Sequence, residues 1–164
     1  MASRFEGDMF IYGDFGALTM TIPDGTVDDG AVAAGADILA TKMRHQMNKH
    51  YAQESATLAA AGSWSIHTCW GVTAEIIAFE AGSVVICIGN ATITVDLKKN
   101  GVSVLSAPIV LDSSNTIRLP EAGTISTSGL ADGDMLEVVV TVNAGTGTLG
   151  KGLFANCIVR EKPQ

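Results

Sequence analysis

From Trp64 onward the sequence takes on a period of two: apolar and polar residues alternate in short runs, and turn residues interrupt them about every ten positions. That rhythm places successive side chains on opposite faces of an extended chain and cannot lay an apolar stripe along a helix. It predicts strands over 64–70, 74–80, 83–89, 92–98, 103–110, 115–119, 122–126, 134–142 and 152–160. The clearest is the hairpin Thr92-Ile-Thr-Val-Asp-Leu-Lys-Lys-Asn-Gly-Val-Ser-Val-Leu105, where Asn100-Gly101 accepts the positive φ values of a type I′ turn. Asp132-Gly133-Asp134 marks another turn. Short strands with no helix between them predict an all-β fold, an antiparallel β-sandwich, jelly-roll-like, over residues 51–164. Strand order stays open at this level.

The preceding residues read differently. Residues 1–30 carry Glu6, Asp8, Asp14, Asp24, Asp28 and Asp29, together with isolated aromatics at Phe5, Phe10, Tyr12 and Phe15 and no sustained period. We read an extended N-terminal arm. Four of the nine aromatics of the chain lie in it, which suits a segment that packs on something, in its own body or in a neighbour. Residues 31–50 read as a short helical connector: Val32, Ala36, Leu39, Met43 and Met47 fall on one helical face. Asp37 is placed to cap a helix running to about Asn48, with Lys42, Arg44 and Lys49 at the end that favours cations.

Charge and motifs exclude most chemistry. The net charge of −7 opposes general binding to nucleic acid, and three cations among Lys42–His50 do not reverse it. The apolar runs, such as Gly82–Ile88, are far shorter than the roughly 20 residues that cross a bilayer, so no membrane partner is expected. The first residues lack the apolar stretch of an export signal. Cys69, Cys87 and Cys157 are odd in number and lack metal spacing, which reads as buried free thiols in a protein assembled in a reducing cytoplasm.

Gly145-Thr-Gly-Thr-Leu-Gly-Lys-Gly152 imitates a phosphate-binding loop, yet Gly152 stands where Ser or Thr should hold magnesium, and a strand rather than a helix follows. His45 and His50 are not spaced as zinc ligands, and Asp28-Asp29 and Asp132/Asp134 suit a helix entry and a turn. His67 and Cys69, two apart on a strand, are a conceivable nucleophile or metal pair, as the Asp-rich loops are a conceivable calcium site; the pair is set against a bland reading in which either Ser65, His67 and Cys69 or Trp64, Ile66, Thr68 and Trp70 form the inward row. No catalytic residue, cofactor site or metal site is expected, and the chain does not read as an enzyme.

The run Asp24-Gly-Thr-Val-Asp-Asp-Gly-Ala-Val-Ala-Ala-Gly-Ala-Asp-Ile-Leu-Ala-Thr-Lys-Met43 resembles a connector of tailed-phage structural proteins. His50-Tyr-Ala-Gln-Glu-Ser-Ala-Thr57, Phe79-Glu-Ala-Gly-Ser-Val-Val85, Val95-Asp-Leu-Lys-Lys-Asn-Gly101 and Gly147-Thr-Leu-Gly-Lys-Gly152 resemble a family of small phage and prophage virion proteins. The resemblance implies a capsid decoration, or cement, protein: a homotrimer seated on the exterior of the virion and bound to the major capsid protein. It carries no catalytic or binding residues over. On that basis Phe5, Phe10, Tyr12 and Phe15 would anchor the arm on a neighbouring subunit, and Val32, Leu39, Met43 and Met47 would sit at a three-fold or dock on the sandwich. A head-fibre or tail-fibre component that binds host glycan shares these features; an exposed Trp70 or Tyr51 beside the Asp-rich loops would favour it.

Overall fold

The computed structural model describes residues 45–162, all of them strand, turn or loop, with no helix among the described residues. Ten strands follow in chain order: β1 (Gln46–Ala52), β2 (Gly62–Thr68), β3 (Ala74–Val85), β4 (Thr92–Lys99), β5 (Val102–Ser103), β6 (Ile109–Leu111), β7 (Glu121–Gly123), β8 (Gly129–Leu130), β9 (Met135–Asn143) and β10 (Lys151–Glu161). They form two five-stranded antiparallel sheets, sandwich-like, one ordered β1-β10-β3-β7 with β8 also on β3, the other β2-β9-β4-β5 with β6 also on β4. The expectation of an all-β body holds, and the strand order that the sequence left open is nested. The first strand pairs with the last, the second with the ninth, the third with β7 and β8, and the fourth with β5 and β6.

Several boundaries move. The helical reading to Asn48 is overturned at its end, because Gln46–Ala52 is β1; residues 46–50, read as connector, therefore belong to the sheet body. Met47 sits half-buried on that strand, pairing Val159. The physical reason is that a lone apolar stripe stabilises a short helix weakly, whereas β10 offers a full ladder of backbone partners. The rest of the connector, with Val32, Leu39 and Met43, and the arm with Phe5, Phe10, Tyr12 and Phe15, lie outside the described residues. The strands expected at 74–80 and 83–89 are largely one twelve-residue strand. The stretch 103–110 is broken between β5 and β6, and 115–119 is turn and loop.

The core lies between the sheets. Ile93, Val95 and Leu97 from β4 and Leu136, Val138 and Val140 from β9 line one side; Ile76, Phe79 and Ala81 from β3 and Leu153, Ala155, Cys157 and Val159 from β10 line the other. Each buried aliphatic side chain of this size contributes about 1.5–3 kcal/mol relative to exposure. The strict alternation is interrupted twice. Ile77 has no partner on β10, since Ile158 faces Ala78 and Val159 faces Ile76; this extra residue lets both Ile76 and Phe79 turn inward. Ile66 is the corresponding extra residue on β2, between Ser65 opposite Glu137 and His67 opposite Leu136.

Candidate functional site

The second bulge decides where the chemistry-bearing residues go. Before it Trp64 faces Val138, and after it His67 faces Leu136, so both lie on the inward side. Neither alternating row expected from the sequence survives intact. Trp64 is half-buried, folds over Gly62, where a Cβ would meet the indole at 2.5 Å, and stacks on Tyr51 with centroids 4.6 Å apart and planes tilted by 33°. That contact ties β1 in one sheet to β2 in the other. Beside it runs an open groove of about 580 Å3 walled by His50, Gln53, Glu54, Thr57 and Leu58. Gln53 is committed to the loop: its amide donates to the Tyr51 hydroxyl and the Ala60 carbonyl and accepts from the Ala60 amide.

His67 and Cys69 are not joined. Cys69 is buried and its thiol donates to the Val72 carbonyl at 3.2 Å. Burial, then the charges of Asp132, Glu161 and Asp134, push that thiol up, away from the thiolate. Burial and the Lys49 ammonium hold the His67 imidazole down, against a smaller upward pull from Glu161, and its Nε2 is buried with no hydrogen-bond partner. A protonated thiol aimed at a carbonyl beside a neutral imidazole is not arranged for nucleophilic attack. Cys87 and Cys157 are buried and free as well, and burial pushes Cys157 to about 12. Among the described residues no group of three or more His, Cys, Asp or Glu is placed to hold a metal ion.

The other singled-out residues hold loops together. His50 bonds Asn156, which donates to Glu80, giving a polar row across three strands. The glycines of 145–152 serve close backbone approach: a Cβ at Gly147 would run into the Ile88 carbonyl, and one at Gly152 would lie 2.7 Å from Ser55 Cα. Asp134 accepts from the Ala131 amide and from Asn100, and pairs with Lys99 at 3.5 Å; the Ala131 amide, then Asn100 and Lys99, hold its carboxyl below the usual range against the opposing effect of burial. Asp132 accepts from the Gly71 amide at 2.7 Å.

That last bond belongs to the surface feature with most interaction potential. The loop between β2 and β3 presents Trp70 at 84% exposure, and just after the Asn100-Gly101 turn Val102 stands at 71%; these are the most exposed large apolar side chains among the described residues. The loop is fastened to its neighbour by Cys69 N to Asp134 O (2.8 Å), Gly133 N to Cys69 O (2.7 Å) and the Gly71–Asp132 bond. Sequence reasoning named Trp70 as a candidate exposed aromatic but left its side open between two parities, and a bulge that adds a residue is invisible to a parity count. Val102 was passed over because it reads as an ordinary strand residue. Tyr51, the other aromatic considered, is a core residue at 9% exposure. No protein-family model and no curated protein matches the chain.

Proposed function

We propose that this chain is a virion structural protein: a capsid decoration protein that binds the outer surface of an assembled major-capsid shell and stabilises it. The observation that carries the reading is the nested strand order. We read a ribbon with its first strand on its last, and with β3 meeting β10 and β4 meeting β9, as jelly-roll-like, an architecture recurrent in viral capsid and lectin domains. Fold alone never assigns function; the resemblance to small phage virion proteins and the commitment of the Cys69 thiol to the Val72 carbonyl add to it. Binding to the assembled shell and not to separate subunits shifts the equilibrium toward assembly by mass action. A homotrimer multiplies the contacts and so the avidity.

The test is co-sedimentation with expanded, undecorated shells of the major capsid protein encoded alongside this chain. It compares the full chain with a version lacking residues 1–44, a deletion that stops short of β1. Saturable binding at fixed stoichiometry by the full chain, weakened in the truncation, is the expected result; no binding by either ends the reading. A second reading, a head-fibre or tail-fibre component that binds host glycan, is favoured by the exposure of Trp70 beside Asp132, since sugars stack on exposed indoles flanked by polar groups. It is separated by titrating glycans against the intrinsic fluorescence of the native protein.

A further inference from the structure

We infer that the end of the sandwich bearing Trp70 and Val102 is the face that meets the shell, with these two side chains as its apolar anchors; this rests on the decoration reading. The first argument is where the chain joins the body. β1 begins and β10 ends at this end, as shown by the pairing of Gln46 with Arg160 and of Arg160 with Glu75 at the start of β3. Glu161 N donates to His45 O, and Lys162 N to Thr73 O. The 44 residues that precede His45 are therefore attached beside the loop that carries Trp70. If those residues engage a shell, this end is tethered closest to it.

The second argument is preorganisation. An exposed tryptophan on a loose loop would lose its freedom on binding, whereas this loop is already fixed by three bonds to the β8–β9 turn. The Asn100-Gly101 turn beside Val102 is fixed as well, through Asn100 to Asp134 and Met135 N to Asn100. Rigid aromatic anchors are what dominate protein–protein interfaces. The third argument concerns the surrounding charges, several of which are paired among themselves: Lys99 with Asp134, and Arg160 and Lys162 with Glu75, while the His45 ring bonds Glu161. The face thus offers apolar contact within a rim of partly paired polar groups, the pattern of a protein interface. Val102 suits an apolar protein surface better than a sugar hydroxyl, and Asp132 already accepts one bond from the Gly71 amide.

The opposite end supplies the control, because Ile88 and Leu119 are also exposed there, at 63% and 57%. Full-length Trp70→Ser, Val102→Ser and an Ile88→Ser/Leu119→Ser double variant are compared for shell binding and melting temperature, and oxidation of Trp70 is followed in free and shell-bound protein. The expected result is protection of Trp70 on the shell and a loss of about tenfold or more in affinity for Trp70→Ser, with melting unchanged and the control double variant binding normally. Retained binding by Trp70→Ser, or a Trp70 that oxidises equally on the shell, overturns the inference while leaving the decoration reading intact. If the native chain binds no shell, both fall together; glycan quenching of Trp70 in its place would assign this face to the sugar.

Discussion

Cys157 shows what burial does to a single group. Its thiol lies near 12 in the folded chain, against 9.0 for an ordinary cysteine, because the inner face of β10 gives a thiolate no solvent. Between those values the unfolded chain releases the proton and the folded chain keeps it. Stability therefore falls as pH rises above 9, by about 1.4 kcal/mol per pH unit from this residue. The urea midpoint of the native protein should drop more steeply between pH 9 and 11 than that of Cys157→Ala, and equal slopes would show that the thiol is not enclosed. The same enclosure should leave all three cysteines unreactive toward an aromatic disulfide reagent at pH 8 until the chain is unfolded. Rapid native labelling of Cys69 would reopen the Cys/His reading. At this scale the sequence was legible for the thiols, whose odd number and lack of metal spacing pointed to buried free groups. It misled at Trp64 and Trp70, which one alternating row assigns to the same side and which the Ile66 bulge separates.

Elements whose signals are local were the most legible. The Asn100-Gly101 turn adopts φ of 49° and 83°, as its residues require, and the Asn100 side chain adds bonds to Asp134 and to the Met135 amide. Asn100→Ala should lose both bonds and strain the backbone, lowering stability by about 1–3 kcal/mol in denaturant titration; Asn100→Asp, which keeps an acceptor for Met135 but sets a carboxylate against Asp134, should not rescue the loss. A loss under 0.5 kcal/mol on the same scale would mean that the turn does not fasten the β8–β9 loop. β1 was the element the sequence hid. Its residues 46–52 carry helix-compatible spacing with Met43 and Met47, and only a partner more than a hundred positions away makes them a strand, as the Gln46–Arg160 pair shows. A local pattern cannot report such a partner. Likewise β3 was read as two strands, 74–80 and 83–89, whereas Gly82 continues the strand and makes room for the Phe154 ring, 2.7 Å from where a Cβ would stand.

For the whole molecule, the described body should stand without the residues before it: a chain beginning at His45 is expected to unfold cooperatively, with a melting temperature within a few degrees of the full protein. Phe10→Ser/Phe15→Ser in the full chain should weaken shell binding several-fold while leaving that melting temperature in place. An equal fall in stability would make the arm part of the fold. The sandwich class was legible because periodicity and turn spacing are summed over the chain, and the candidate interface was not, because it depends on which loops share an end. The nested order also sets the tempo of folding. Gln46 waits for Arg160 and Ser63 for Val139, so a ribosome-bound chain cannot close the sheet of β2 until β9 has emerged, nor the sheet of β1 until β10 has. Such high contact order places folding in the millisecond-to-second range and leaves β1 and β2 uncovered meanwhile. A lysine in the inward row of β1, Lys49, opposite Cys157, is then well placed to discourage those strands from pairing with another nascent copy before their own partners arrive.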